Sequence, residues 1–178
     1  MKIREIMRNR IFVVIFAICA FFVVKSQDNY VSGMLFFQTE IESEAIKANF
    51  APEFGHFLNE TVAIGASLKY QYEKNAAFEH VIILEPYLRK YFIKQEKLGI
   101  FVDAIVGPTF SFPNDGDFAV GFKAGLAPGL DVKLTDKFSF VSRLGFLGYY
   151  QPGDFDGKKY VRLSFDASGI SFGVRYNL

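Results

Sequence analysis

The sequence predicts an all-β protein: an eight-stranded antiparallel up-and-down transmembrane β-barrel preceded by a signal peptide. Three observations carry this. The N-terminus is basic and then apolar, the rest of the chain repeats a period-2 alternation, and the connections alternate between tight and long.

The first element is the export segment, 1–26. Lys2, Arg4, Arg8 and Arg10 precede the apolar stretch Ile11–Val24. A bilayer-spanning helix needs about 20 apolar residues, so this stretch is too short for an anchor. Val24-Lys25-Ser26 supplies aliphatic and small residues at the −3 and −1 positions of a cleavage site before Gln27. The only cysteine, Cys19, follows Ile18, where a lipid-modified cysteine wants a small residue before it. Cleavage would leave 27–178 as a single domain without cysteine, and disulfides would have no part in its stability. The segment carries five basic residues against Glu5, so its removal takes the net charge from +1 to −3. No basic patch remains to recruit nucleic acid.

The strands are expected at 29–38, 46–57, 62–73, 81–93, 98–112, 118–134, 138–150 and 161–178. In the third, Val62, Ile64, Ala66, Leu68, Tyr70 and Tyr72 oppose Ala63, Gly65, Ser67, Lys69, Gln71 and Glu73. In the sixth, Val120, Phe122, Ala124, Leu126, Leu130 and Val132 alternate with Gly121, Lys123, Gly125, Gly129, Asp131 and Lys133. In the seventh, Phe138, Phe140, Leu144 and Phe146 oppose Ser139, Arg143 and Gly145. The last ends with Phe172, Val174, Tyr176 and Leu178 against Ser171, Gly173, Arg175 and Asn177. Most of these segments reach the 9–11 residues or so that a tilted membrane strand requires. Leu58–Thr61, Lys94–Lys97 and Thr135–Lys137 read as tight turns. Gln38–Ala45, Lys74–His80, Pro113–Asp117 and Gln151–Tyr160 read as longer loops. That asymmetry belongs to a barrel with both termini on the periplasmic side.

The polar face is sparse, made of Gly, Ala and Ser with one or two charges per strand. It suits a crowded lumen better than a solvated exterior, and the apolar face then meets lipid. Four prolines, Pro52, Pro86, Pro108 and Pro128, fall inside strands, where each removes a ladder bond or marks a bulge. The last strand changes phase between Phe165 and Ile170, so a bulge is expected near Ala167–Gly169.

Phe50-Ala51-Pro52-Glu53-Phe54-Gly55-His56-Phe57, a polar turn, then Val62–Tyr70 resembles a hairpin of the outer-membrane β-barrel domain proteins common in Bacteroidetes. Glu85-Pro86-Tyr87-Leu88-Arg89-Lys90-Tyr91-Phe92 resembles their fourth strand. The closing Phe172, Val174, Tyr176 and Leu178 look like a barrel-assembly signal, with Leu in place of the commoner terminal Phe. The resemblance is to small eight-stranded barrels of the OmpX, OmpW and PorT kind. It implies a fold, an outer-membrane address, contact with lipid and lipopolysaccharide, and a barrel-assembly machinery as partner during biogenesis. It carries over no catalytic residue.

The candidate site is the set of inward charges: Lys69, Glu85, Arg89, Asp103, Lys123, Asp131, Arg143 and Arg175. The turn at Lys94–Lys97 sets a register in which Arg89 faces Asp103 across the fourth and fifth strands. These groups read first as a structural lumen network and second as a selectivity constriction or proton path. An eight-stranded barrel has a lumen just wide enough for side chains to fill, which argues against a general pore. A membrane enzyme would need a nucleophile and a base near the outer leaflet. His56 falls at the other end, and His80 has no serine nearby in sequence, so no catalytic residue is assigned. No metal or cofactor signature is present. Asn114–Asp117 is explained as a turn, and Tyr70, Tyr72, Tyr91, Tyr149, Tyr150 and Tyr176 as interfacial girdles. The expected role is structural, surface-interacting or narrow transport, in a monomer. The alternatives are a soluble barrel that carries an apolar ligand and an outer-leaflet lipid-modifying enzyme.

Overall fold

The computed structural model describes residues 28–40, 45–73, 78–113, 119–151, 160–164 and 170–178, with backbone only for 36–40, 45–47, 73, 78–79, 113 and 160–164. The strands are β1 (Asn29–Glu40), β2 (Ala45–Asn59), β3 (Val62–Glu73), β4 (Phe78–Lys94), β5 (Leu98–Pro113), β6 (Ala119–Lys133), β7 (Phe138–Arg143), β8 (Phe146–Gln151), β9 (Tyr160–Ser164) and β10 (Ser171–Asn177). β7 and β8 form one stave of the barrel, and β9 and β10 another, so the staves number eight. Every sequential neighbour pairs antiparallel. β10 pairs with both β7 and β1, from Tyr30↔Asn177 to Leu35↔Phe172, and so closes the ring. The result is the closed eight-stranded antiparallel barrel that the alternation predicts. Where β1 and β10 pair, closure leaves no free edge.

The turns at one end are fixed by short side chains that satisfy the reversing backbone. Asn59 Oδ1 accepts from Thr61 N–H at 2.9 Å and Val62 N–H at 3.0 Å. Thr135 Oγ1 does the same for Phe138 N–H at 3.0 Å. The segment 1–26, expected to be a signal peptide, and the apices of the four expected longer loops lie outside the described residues, as does the bulge expected near Ala167–Gly169. Pairing there passes from Arg143↔Ser171 to Phe146↔Ser164.

All four prolines lie on the outward face, and none breaks the barrel. Pro86 and Pro108 share one lapse in the β4–β5 ladder. Pairing stops after Ile83↔Thr109 and resumes at Tyr87↔Ile105 in the same register. Pro128 marks a bulge. The β6 partner of Arg143 is Gly129, whereas that of Leu147 is Leu126, so the seventh stave spends one extra residue at Leu144–Gly145. Leu144 N–H donates to Pro128 O at 2.8 Å at this point.

That extra residue corrects the reading of the seventh strand. The faces exchange after Arg143, and Phe146 turns into the lumen, where Lys123 Nζ stands 4.5 Å from its ring centroid. Tyr150 faces inward too: it pairs with buried Lys123, and its hydroxyl donates to Gln71 Oε1 at 3.4 Å. Tyr91 is also inward, only 2% exposed. Neither is a girdle tyrosine. For adjacent Tyr149 and Tyr150 the reason is elementary, because successive residues of a strand point to opposite faces.

Candidate functional site

The lumen is built from the inward positions of the staves, and its small residues exist to seat its large ones. A Cβ on Gly55 would fall 2.2 Å from the Tyr30 ring, one on Gly129 2.3 Å from Phe101, and one on Gly65 2.5 Å from the Tyr87 hydroxyl. The sparse polar face seen in the sequence is therefore half of a packing pattern whose other half is buried aromatics.

At mid-barrel four charged side chains meet. Arg89 Nε donates to Asp103 Oδ1 at 2.7 Å and its Nη2 to Oδ2 at 2.9 Å, a two-pronged pair set by the cross-strand register Arg89↔Asp103. Arg143 reaches across the barrel to Asp103 Oδ2 at 2.8 Å and to Glu53 Oε2 at 3.0 Å. Arg89 Nη2 lies 3.5 Å from Glu53 Oε1, which completes the ring. The quartet holds two carboxylates and two guanidiniums. Arg89 and Asp103 have no solvent-exposed surface. The Arg89 guanidinium also lies 4.0 Å from the Phe101 ring centroid, and its Nη1 has no hydrogen-bond partner among the described residues. An aromatic face takes part of the place of an acceptor there.

On the turn side of the quartet, Arg175 pairs with Asp131, and the Tyr91 hydroxyl donates to Asp131 Oδ2 at 2.7 Å. Arg175 also donates to Tyr91 Oη at 2.8 Å and to Ser139 Oγ at 3.0 Å. Phe57, Tyr30, Phe101 and Tyr91 pack around this pair, with ring centroids 5.2 Å apart for Tyr30–Phe57 and 5.5 Å for Tyr91–Phe101. On the loop side, Lys123 Nζ donates to Glu85 Oε1 at 2.5 Å, and Lys69 acts on the same carboxylate electrostatically. A cavity of about 60 Å³ lies there, lined among others by Lys69, Glu85, Lys123 and Arg143.

The eight charges singled out from the sequence thus fall into three groups along the axis. The quartet takes Arg89, Asp103 and Arg143, the turn side takes Asp131 and Arg175, and the loop side takes Lys69, Glu85 and Lys123. Sequence reasoning missed Glu53, which joins both guanidiniums. Its signal is in the alternation: Ala51, Glu53 and Gly55 oppose Phe50, Pro52 and Phe54, so Glu53 shares the small, polar face. Its place inside a family-like motif hides that signal. Tyr30 and Tyr87 were missed as well. Their hydroxyls meet at 2.8 Å, and both are buried.

The histidines sit outside the lumen, at opposite ends. His56 Nδ1 meets Asn29 Oδ1 at 2.8 Å at the turn end, and His80 Nδ1 meets Tyr70 Oη at 2.8 Å at the loop end. Phe172, Val174 and Leu178 are exposed on the outward face, and Tyr176 packs on Phe138 with centroids 5.0 Å apart. The segment at 114–117 lies outside the described residues.

No protein-family model and no curated protein matches the sequence. Among solved structures the chain is similar to one described as "De novo design of transmembrane beta-barrels". The identity is 8%, the TM-score 0.44, and the alignment covers 87% of this chain and 98% of that one.

Proposed function

We propose that this chain is an integral outer-membrane β-barrel of the small, side-chain-filled type, with a structural or surface-interaction role and no general pore. The single observation that carries the reading is the inversion of the two faces. Charge is turned inward and paired, while large apolar side chains stand exposed on the outside. On β5 the outward positions Leu98, Ile100, Val102, Ala104, Val106, Pro108, Phe110 and Phe112 are all apolar. Fourteen residue steps at about 3.3 Å, tilted by about 40°, give an apolar height of roughly 35 Å, enough for the band of about 25 Å that such barrels present to lipid. On β6, Val120, Phe122 and Leu126 are likewise exposed. A soluble monomer exposes apolar patches of only about 300–600 Å².

The apolar-ligand carrier needs the opposite arrangement, a greasy interior under a polar coat. The tight turns and the described C-terminus share one end, which in an outer-membrane barrel is the periplasmic end. In the quartet and the aromatic group on its turn side, Arg89, Asp103, Phe101 and Tyr30 have no solvent-exposed surface, so a bilayer holding the protein is expected to show no steady conductance.

The test is membrane fractionation of expressing cells, with gel mobility measured before and after boiling. The reading expects the protein in the detergent-soluble membrane fraction with a mobility shift. Recovery in the buffer-soluble fraction without a shift overturns it, and sustained single-channel currents in planar bilayers overturn the sealed lumen.

A further inference from the structure

Met34 is the one methionine outside 1–26, and the barrel gives it a particular setting. It lies in the lumen between two small cross-strand partners, Gly173 on β10 and Ala51 on β2, and is only 2% exposed. A Cβ on Gly173 would fall 2.9 Å from Met34 Cγ, so the glycine makes room for this side chain. Two donors are aimed at its sulfur. Arg143 Nη1 on β7 and Ser171 Oγ on β10 each donate to the thioether at 3.6 Å. Thioether sulfur is a weak acceptor. An oxygen added to the sulfur on the side of these donors comes closer to both and accepts far better. Oxidation of a buried methionine ordinarily puts a polar group into a core that holds no partner for it. Here the partners already stand in place. The loop-side cavity of about 60 Å³ touches Met34, Arg143 and Ser171 alike. A water needs at least about 10–15 Å³ on this measure, so a molecule of two heavy atoms fits.

We infer that Met34 is an oxidation site, at which hydrogen peroxide in the cavity converts the thioether to a sulfoxide that the fold accommodates. A sulfur lone pair attacks one peroxide oxygen and the O–O bond breaks. The departing oxygen takes up the proton that the transferred oxygen loses and leaves as water. Sulfur is oxidised and peroxide reduced, and one thioether and one peroxide give one sulfoxide and one water. Arg143 Nη1 and Ser171 Oγ then donate to the new oxygen. The reductases that reverse this step each act on one sulfoxide epimer, and a sulfur so buried is out of their reach in the closed barrel. The oxidised form therefore persists while the protein is folded. Only groups inside the barrel take part, so the site stands whether lipid or water surrounds the outer face.

Peroxide treatment of the folded protein, in detergent or in buffer as its fractionation requires, tests the site. Peptide mapping by mass spectrometry is expected to find one added oxygen on Met34, with the strand signal in circular dichroism unchanged. After subsequent unfolding, treatment with each epimer-specific reductase should reveal one epimer in about tenfold excess or more, because the donors hold the oxygen on one side. Ser171→Ala removes one donor and leaves the charged quartet intact. Oxidation should shift the unfolding equilibrium of that variant about fivefold further towards the unfolded chain than it shifts the wild type, the effect of one lost hydrogen bond. Met34 left untouched in the folded protein, by peroxide that oxidises the urea-unfolded chain, overturns the assignment. So do loss of the strand signal on oxidation, an equal mixture of epimers, and an oxidation cost that Ser171→Ala leaves unchanged.

Discussion

Glu53 shows how much a single inward residue can decide. It is 5% exposed and bonds both mid-barrel guanidiniums. Taking two charges out of water costs as much as their attraction returns, so the quartet is not a source of net stability by itself. Breaking it is another matter, because the partner charges stay buried. Glu53→Ala is expected to lower the unfolding free energy by about 3–5 kcal/mol in urea titrations of the refolded barrel. The exposed pair Lys133–Asp136, 2.8 Å apart in a turn, is the control. Lys133 holds the Asp136 carboxyl below its ordinary range by donating a hydrogen bond to it. Solvent surrounds that pair, so Asp136→Ala should leave the urea midpoint where it was. An equal effect from both substitutions would show that burial does not set the cost.

At the scale of the element, the staves keep register where their sequence works against them. Pro86 and Pro108 would each break a ladder, yet both fall within the same lapse and the register survives. Gly107 lies in that lapse. A Cβ there would stand 1.9 Å from Leu84 O, a backbone atom that has no rotamer to retreat into. At Gly33, by contrast, a Cβ would meet nothing within 4 Å. Gly107→Ala is therefore expected to destabilise by about 1–3 kcal/mol. Gly33→Ala should be neutral or slightly stabilising, through the lost freedom of the unfolded chain. Comparing the two by the same titration checks whether close backbone approach, and not glycine content as such, is what the staves require.

For the whole molecule, the decisive variable is depth across the apolar belt. Val106 is an outward, half-exposed residue at the middle of β5, whereas Leu98 stands at its turn-side end. If lipid surrounds the barrel, Val106→Arg costs about 2–4 kcal/mol and Leu98→Arg about 0–1 kcal/mol in refolding into vesicles. Both are surface positions, and a barrel bathed in water would tolerate the two equally.

The alternation of one residue type per face determined, from the sequence alone, the number of staves, their order, and eight of the charges that turn inward. These are local properties with a period of two, and each can be read within one strand. The Lys94–Lys97 turn extended this by one step, to the cross-strand partner of Arg89, because a tight turn fixes register between neighbours. What lay beyond the sequence was anything that joins staves distant in the chain or shifts their phase. Arg143 and Glu53 are 90 positions apart and meet only because the ring closes. One extra residue opposite Pro128 turns Phe146 and Tyr150 inward, and no pattern inside that strand marks where it falls. Closure and bulges are settled by packing across the lumen. That is why the barrel was legible in the sequence while the three charged groups inside it, and the cavity between them, were decided by the tertiary structure.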